Sequence, residues 1–260
     1  MRTATTKHRQ SSPTSPGVAA ACELMSTDWS PWHIVLYGLE WEDYEALLAA
    51  RHEACRKGLR ITYDRGTAEI MTPGGGPTRD NRLATTNLNG DPVMSIGSRH
   101  ERWKKLIARL VEAVALGLRV PLVACGNITL SRADLDRGFE PDECYYVQNA
   151  RAMKAIREFD FATDPPPDLF IEIEVSRTVQ DRLDLCAAME IPEVWRYDGK
   201  RLRILILSDN HYVEASASLA FSILTSKRLN SFLRRAGTID DTTLCLEVLE
   251  LARESAKRGS

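Results

Sequence analysis

Long apolar runs are missing from this chain. No stretch of roughly eighteen apolar residues occurs in its 260 positions, which excludes a transmembrane helix. A charge excess of either sign is missing too. The net charge is −2, so a polyanionic partner would have to meet a local basic patch, not the chain as a whole. Six cysteines are present, at 22, 55, 125, 144, 186 and 245, without a C-x-x-C pair or a secretory signal. Reduced, buried thiols in a cytoplasmic protein are therefore expected. The triple glycine Gly74-Gly75-Gly76 is not followed by the Gly-Lys-Ser/Thr of a phosphate loop, which leaves a flexible linker. No Gly-x-Ser-x-Gly elbow occurs, so an ordinary serine hydrolase has no support. No repeat of fixed period is visible.

What remains is a chain with 43% hydrophobic and 27% charged residues, enough for one sizeable core. Residues 1–30 are rich in Ser, Thr and Pro and read as a disordered tail rather than an organelle transit sequence. A core over 31–215 follows, interrupted by a long Gly/Asn/Pro loop at 73–98, and 216–260 reads as a C-terminal helical extension. His33–Tyr37 has the pattern of a strand and 40–57 that of a helix. Arg60–Asp64 and Thr67–Met71 form a hairpin pattern around Arg65-Gly66. From Ser98 to Leu116, Trp103, Leu106, Ile107, Leu110, Val111 and Val114 make one apolar stripe, with Arg102, Lys105 and Arg109 opposite. Strands are expected at 121–130 and 142–147 with a turn at Gly138, then at 168–176, 193–198 and 201–208. Asp198-Gly199 is a type I′ hairpin signal. Helices are expected at 178–190, 221–236 and 240–256. Strands alternating with helices, with hairpins among them, indicate an α/β fold with a mixed β-sheet flanked by helices.

The stretch from Asp168 to Ser176 carries the most chemistry. On a strand, Phe170, Glu172, Glu174 and Ser176 share one face, and Leu169, Ile171, Ile173 and Val175 share the other. Two carboxylates on one face of a central strand are costly unless a cation compensates them, and hard oxygen donors suit magnesium or manganese. On an edge strand the same pair would simply be solvated. Glu140-Pro-Asp142 opens a second strand, from which the Asp142 carboxylate can reach a neighbour.

These segments resemble a known family. Glu140-Pro-Asp142-Glu-Cys-Tyr-Tyr-Val, Pro167-Asp-Leu-Phe-Ile-Glu172-Ile-Glu174-Val-Ser, Asp181-Arg182-Leu and Ile191-Pro-Glu-Val-Trp-Arg-Tyr-Asp198-Gly stand in the order found in Uma-type restriction endonucleases of the PD-(D/E)XK nuclease superfamily. The resemblance reaches back to Trp32–Met71 and to Ser98-Arg-His-Glu101 and covers roughly residues 32–210. It implies a restriction-endonuclease-like sheet flanked by helices and a divalent cation, Mg2+ or Mn2+, between strands. By position, Asp142 matches the Asp of the family's Pro-Asp motif and Glu172 the acid of its second motif, both as metal ligands. The superfamily's Lys two residues later is Glu174 here. Arg182 stands where many relatives carry Lys, and arginine can offset phosphate charge but is a poor general base. His100 and Glu101 match the start of the family's long helix. Helical angles turn His100 inward and Glu101 away, so Glu101 reads either as a metal ligand or as a helix-start acid.

Phosphodiester hydrolysis, more readily of DNA than RNA, is the function these residues imply, with a homodimer as one possible state. Asp142, Glu172, Glu174, Arg182 and His100 are the candidate catalytic residues, and Asp142, Glu172 and Glu101 the candidate metal ligands. Arg99, Arg102, Lys104, Lys105 and Arg109 are placed to meet a nucleic-acid backbone. Because position 174 is not Lys, a nuclease fold that binds nucleic acid or protein without hydrolysis is the alternative.

Overall fold

The computed structural model describes residues 33–53, 59–71, 96–155, 159–174 and 182–258. The expected tail and residues 73–95 of the expected loop lie outside these. Pro31–Ser260 makes one compact unit. Its strands divide between two sheets. The smaller contains β1 (His33–Tyr37), β2 (Arg60–Asp64), β3 (Thr67–Met71), β5 (Leu130–Arg132) and β6 (Arg137–Phe139), in the order β1-β3-β2-β6-β5 and antiparallel throughout. The larger contains β4 (Val123–Ala124), β7 (Glu143–Tyr146), β8 (Leu169–Ile173), β9 (Glu193–Tyr197), β10 (Leu202–Ser208) and β11 (His211–Ala215), in the order β11-β10-β9-β8-β7-β4. Among the described strands only β8 and β9 pair in parallel, joined by the crossover that contains α4 (Arg182–Ala188). The other helices are α1 (Trp41–Glu53), α2 (Ile96–Leu118), α3 (Ala150–Met153), α5 (Ser226–Arg235) and α6 (Asp241–Arg258). None of the described helices is long and apolar enough to cross a membrane.

Local rules account for most of these elements. The β2–β3 hairpin turns on Arg65 and Gly66, both at positive φ (44° and 86°), the type I′ arrangement that matches strand twist. Asp198-Gly199 departs from that type. Tyr197 pairs with Leu202, Gly199 alone in the turn has positive φ (89°), and the Asp198 carboxylate accepts from the Lys200 and Arg201 amides at 2.8 and 2.7 Å. The aspartate side chain replaces the second left-handed residue as the turn's organiser.

Gly138 is not a turn residue. It lies within β6, opposite Ser131 and Tyr63, and a Cβ there would stand 2.2 Å from the Tyr44 hydroxyl oxygen. The glycine lets the Tyr44 ring lie on the strand backbone. Tyr44 also stacks on Tyr63, 5.0 Å between centroids, and so fastens α1 to the smaller sheet.

Helix α2 starts two residues before the expected Ser98 and lays its apolar stripe on the larger sheet. Leu106, Ile107, Leu110, Val111 and Val114 are buried there with Leu169, Ile171 and Ile173 of β8. Leu229 and Leu233 of α5 and Leu244 and Val248 of α6 enter the same core. On the opposite sheet face, Phe170 packs with Cys144, Phe139, Leu185 and Val194. Every residue of β8 is buried, because helices cover one face while α4 and the smaller sheet cover the other. The central reading of this strand holds over the solvated-edge one.

Candidate active site

The register of β7 and β8 builds the site. Glu143 pairs with Ile171 and Cys144 with Phe170, so one further step sets Asp142 opposite Glu172. Opposed residues of an antiparallel pair point to one face. Here that is the face carrying Cys144 and Phe170, toward α4. Both carboxylates are buried, Asp142 at 0% and Glu172 at 5% exposure.

Asp142 is held from three directions. Its Oδ2 accepts from the Ile173 amide at 2.6 Å and from His100 Nε2 at 3.1 Å. Its Oδ1 lies against the Arg60 guanidinium and 3.1 Å from the same His100 nitrogen, without a directional hydrogen bond. Burial works against ionisation, but Arg60, His100 and the more distant Arg182 outweigh it and hold the carboxyl well below the usual range. Glu172 goes the other way. Burial, with the repulsion of Asp142 added, exceeds the pull of Arg182 and Arg60 and pushes its carboxyl up to about 6. Its Oε2 accepts from Arg182 at 2.8 Å, while its buried Oε1 has no hydrogen-bond partner.

That unsatisfied oxygen separates the pair from other buried acids. Glu193 spends both oxygens on Trp195 Nε1 and the Leu219 and Ala220 amides, 2.6 to 2.9 Å away. Asp168 does the same with the amides of Val147 and Asn149 and the Asn149 side chain. Those carboxylates are structural ties. Glu172 Oε1 has no hydrogen-bond partner, which is expensive in a buried setting, and Asp142 Oδ1 is met only by the charges of Arg60 and His100.

The remaining candidates fall into place unequally. His100 faces a carboxylate at each ring nitrogen, Asp142 at Nε2 and Glu101 at Nδ1 (3.2 Å), an arrangement that suits the protonated ring, in which both nitrogens donate. Burial alone would lower its pKa, but the Asp142 hydrogen bond and charge raise it above 6.5. Glu101 is exposed on the outer side of His100 and is not drawn into the carboxylate pair. Arg182, buried at the start of α4, bonds Glu172. Glu174 pairs with Arg196 at 2.5 Å, and both side chains are partly exposed. Among the basic residues of α2, Arg99, Arg102 and Lys105 are exposed, while Lys104 lies 3.8 Å from Glu143.

Arg60 and Glu69 escaped the sequence reading. Arg60 starts β2, and Glu69, 1% exposed on β3, contributes to the field at Arg182. A buried acid at the centre of a five-residue strand was the available signal for Glu69; Arg60 had none, since an arginine at a strand end is ordinary.

Two opposed carboxylates, each with an oxygen that makes no directional hydrogen bond, fit a hard divalent cation by donor chemistry. Magnesium commonly uses one or two carboxylates and completes its shell with water and substrate phosphate. Among the described residues no three of His, Cys, Asp and Glu converge on one point, so any cation here would rest on this pair.

Comparison with curated proteins gives no match. The family model described as "Putative restriction endonuclease" (Uma2) matches residues 79–231, a span that holds Asp142, Glu172 and Arg182 and more than half of the chain. With its helix-flanked sheets the structure has the α/β architecture of restriction-endonuclease-like proteins, and the chain belongs to the Uma2 restriction endonuclease family.

Proposed function

We propose that this protein is a Mg2+- or Mn2+-dependent endonuclease that hydrolyses phosphodiester bonds of nucleic acid, DNA in preference to RNA. The observation that carries the reading is the opposed, buried pair Asp142 and Glu172, each with an oxygen lacking a directional hydrogen bond. Those two oxygens would hold the cation, which when bound supplies positive charge to the scissile phosphate and acidity to a nearby water. The Ile173 amide bonds Asp142 Oδ2, which leaves Oδ1, beneath the Arg60 guanidinium, as the oxygen a cation would take. Arg182, a permanent cation beside Glu172, is placed to offset charge developing on phosphate. Glu174 at the more open edge would orient water once released from Arg196. Arg99, Arg102 and Lys105 extend from the His100 end of α2 as a track for a nucleic-acid backbone. A cytoplasmic setting and a homodimer belong to the same proposal.

Incubation of supercoiled plasmid, single-stranded DNA and RNA with magnesium or manganese tests it. Cleavage of DNA, lost in Asp142→Asn and Glu172→Gln, is expected; cleavage that both substitutions leave intact would refute the assignment. One observation favours a second reading, a nuclease fold that binds without cutting. Arg60 and Arg182 already balance the two buried carboxylates, and Glu174 replaces the Lys of the superfamily motif. Under that reading DNA binds in EDTA, and magnesium or manganese adds no cleavage.

A further inference from the structure

We propose that Arg60 and a divalent cation are alternative occupants of the Asp142 carboxylate, so that Arg60 sets how tightly the site takes metal. The inference rests on the nuclease reading above. Arg60 lies before the segment matched by the family model and enters the site from the smaller sheet, whereas Glu172 is in β8 of the larger sheet and Asp142 immediately precedes its β7.

The two arginines of the site are not equivalent. Arg182 makes a directional 2.8 Å bond to Glu172 Oε2 and leaves Oε1 free. Arg60 covers Asp142 Oδ1, the oxygen that would complete a cation site, and does so by charge contact without a directional hydrogen bond. Charge balance makes the exchange necessary. Arg60, Arg182 and protonated His100 stand against Asp142, Glu172 and Glu69, and a divalent ion added to that balanced set would leave two uncompensated positive charges in a buried space. Withdrawal of Arg60 removes one of them and uncovers the ligand oxygen in the same movement. The arginine can leave because its side chain, 15% exposed, stands at the first position of β2 and its long stem allows the head group to reach water. Arg60 is thus a positioning residue acting through Asp142.

Calorimetric titration of MnCl2 into the full-length wild type, Arg60→Gln and Arg60→Lys tests the exchange, with thermal melts in EDTA and in MnCl2 alongside. Arg60→Gln should bind manganese about tenfold tighter or more, since a competing charge is gone. Arg60→Lys, which keeps the charge, should stay close to wild type. In EDTA, Arg60→Gln should melt below wild type, and manganese should raise its Tm by more than it raises that of wild type. A purely structural arginine would give a less stable protein with equal or weaker metal binding. If both proteins bind manganese and Arg60→Gln binds no tighter, the exchange is wrong while the nuclease reading survives. Binding by neither overturns both. A manganese-soaked wild-type crystal decides without any variant: an ion on Asp142 with Arg60 withdrawn supports the exchange, and Arg60 still in contact with Asp142 beside the ion refutes it.

Discussion

Asp142 and Glu172 face each other across β7 and β8, yet their surroundings drive their protonation in opposite directions. Asp142 carries the Arg60 and His100 contacts and stays ionised, whereas Glu172 touches Arg182, and the pull of Arg182 and of the more distant Arg60 does not offset its burial. A pair poised this way holds less negative charge than two free carboxylates, which is how two acids coexist in one dry space.

The raised Glu172 pKa has a definite signature in stability. The folded protein binds this proton more tightly than the unfolded chain, so the contribution is fully favourable below about 4.5 and is lost as pH rises to about 6. Measured in EDTA, Glu172→Gln should remove that decline. Relative to wild type it should gain on the order of 1–2 kcal/mol between the two pH values. Urea melts across pH 4 to 7 check the slope; parallel wild-type and variant curves would contradict the burial argument.

His100 should titrate above the ordinary histidine value in the wild type and move down in Asp142→Asn, where burial is no longer opposed by the aspartate charge. Its stabilising contribution is present below 6.5 and disappears as pH passes through the raised folded value. Imidazole resonances followed by NMR through the titration report the shift directly.

Asp142→Asn should be the most destabilising of the site substitutions. It leaves the Arg60 guanidinium facing a neutral amide in a buried position, a loss of about 3–5 kcal/mol. Glu174→Gln should cost within about 1 kcal/mol, because the Glu174–Arg196 pair is partly solvated. Chemical denaturation in EDTA separates the two outcomes.

Gly138→Ala should weaken the attachment of α1 to the smaller sheet by about 1–3 kcal/mol, since a methyl group would enter the Tyr44 ring. Fluorescence-detected denaturation reads the loss, and Tyr44→Ala in the same chain should relieve the clash.

Truncation after residue 215 should abolish cooperative folding. Leu229, Leu233, Leu244 and Val248 lie in the same core as α2, and a Cβ at Gly117 would fall 2.4 Å from the Ala252 Cβ, so α2 and α6 meet almost backbone to backbone. A soluble, cooperatively melting 1–215 fragment would show that the last two helices are an accessory.

Local patterning was enough to read the α2 stripe, the two faces of β8, the Arg65-Gly66 turn, Asp142 at the entry of β7 and Glu172 within β8. Each depends on a period or a turn geometry that acts within a few residues. Tertiary structure decided the rest. Gly138 became a strand residue because Tyr44, distant in the chain, needs its bare backbone. Glu174 shares the alternation of Glu172, yet it lies where the strand gives way to solvent and finds Arg196 instead. The carboxylate cluster itself was legible in outline. Of its counter-charges, Arg182 and His100 could be named from the family's motifs but Arg60 could not, because a strand's periodicity says which way a side chain points and never which charge from another sheet will meet it. Arg60 against Asp142 is the clearest case: sequence alone placed an acid there, and only the packing of two sheets showed what already holds it.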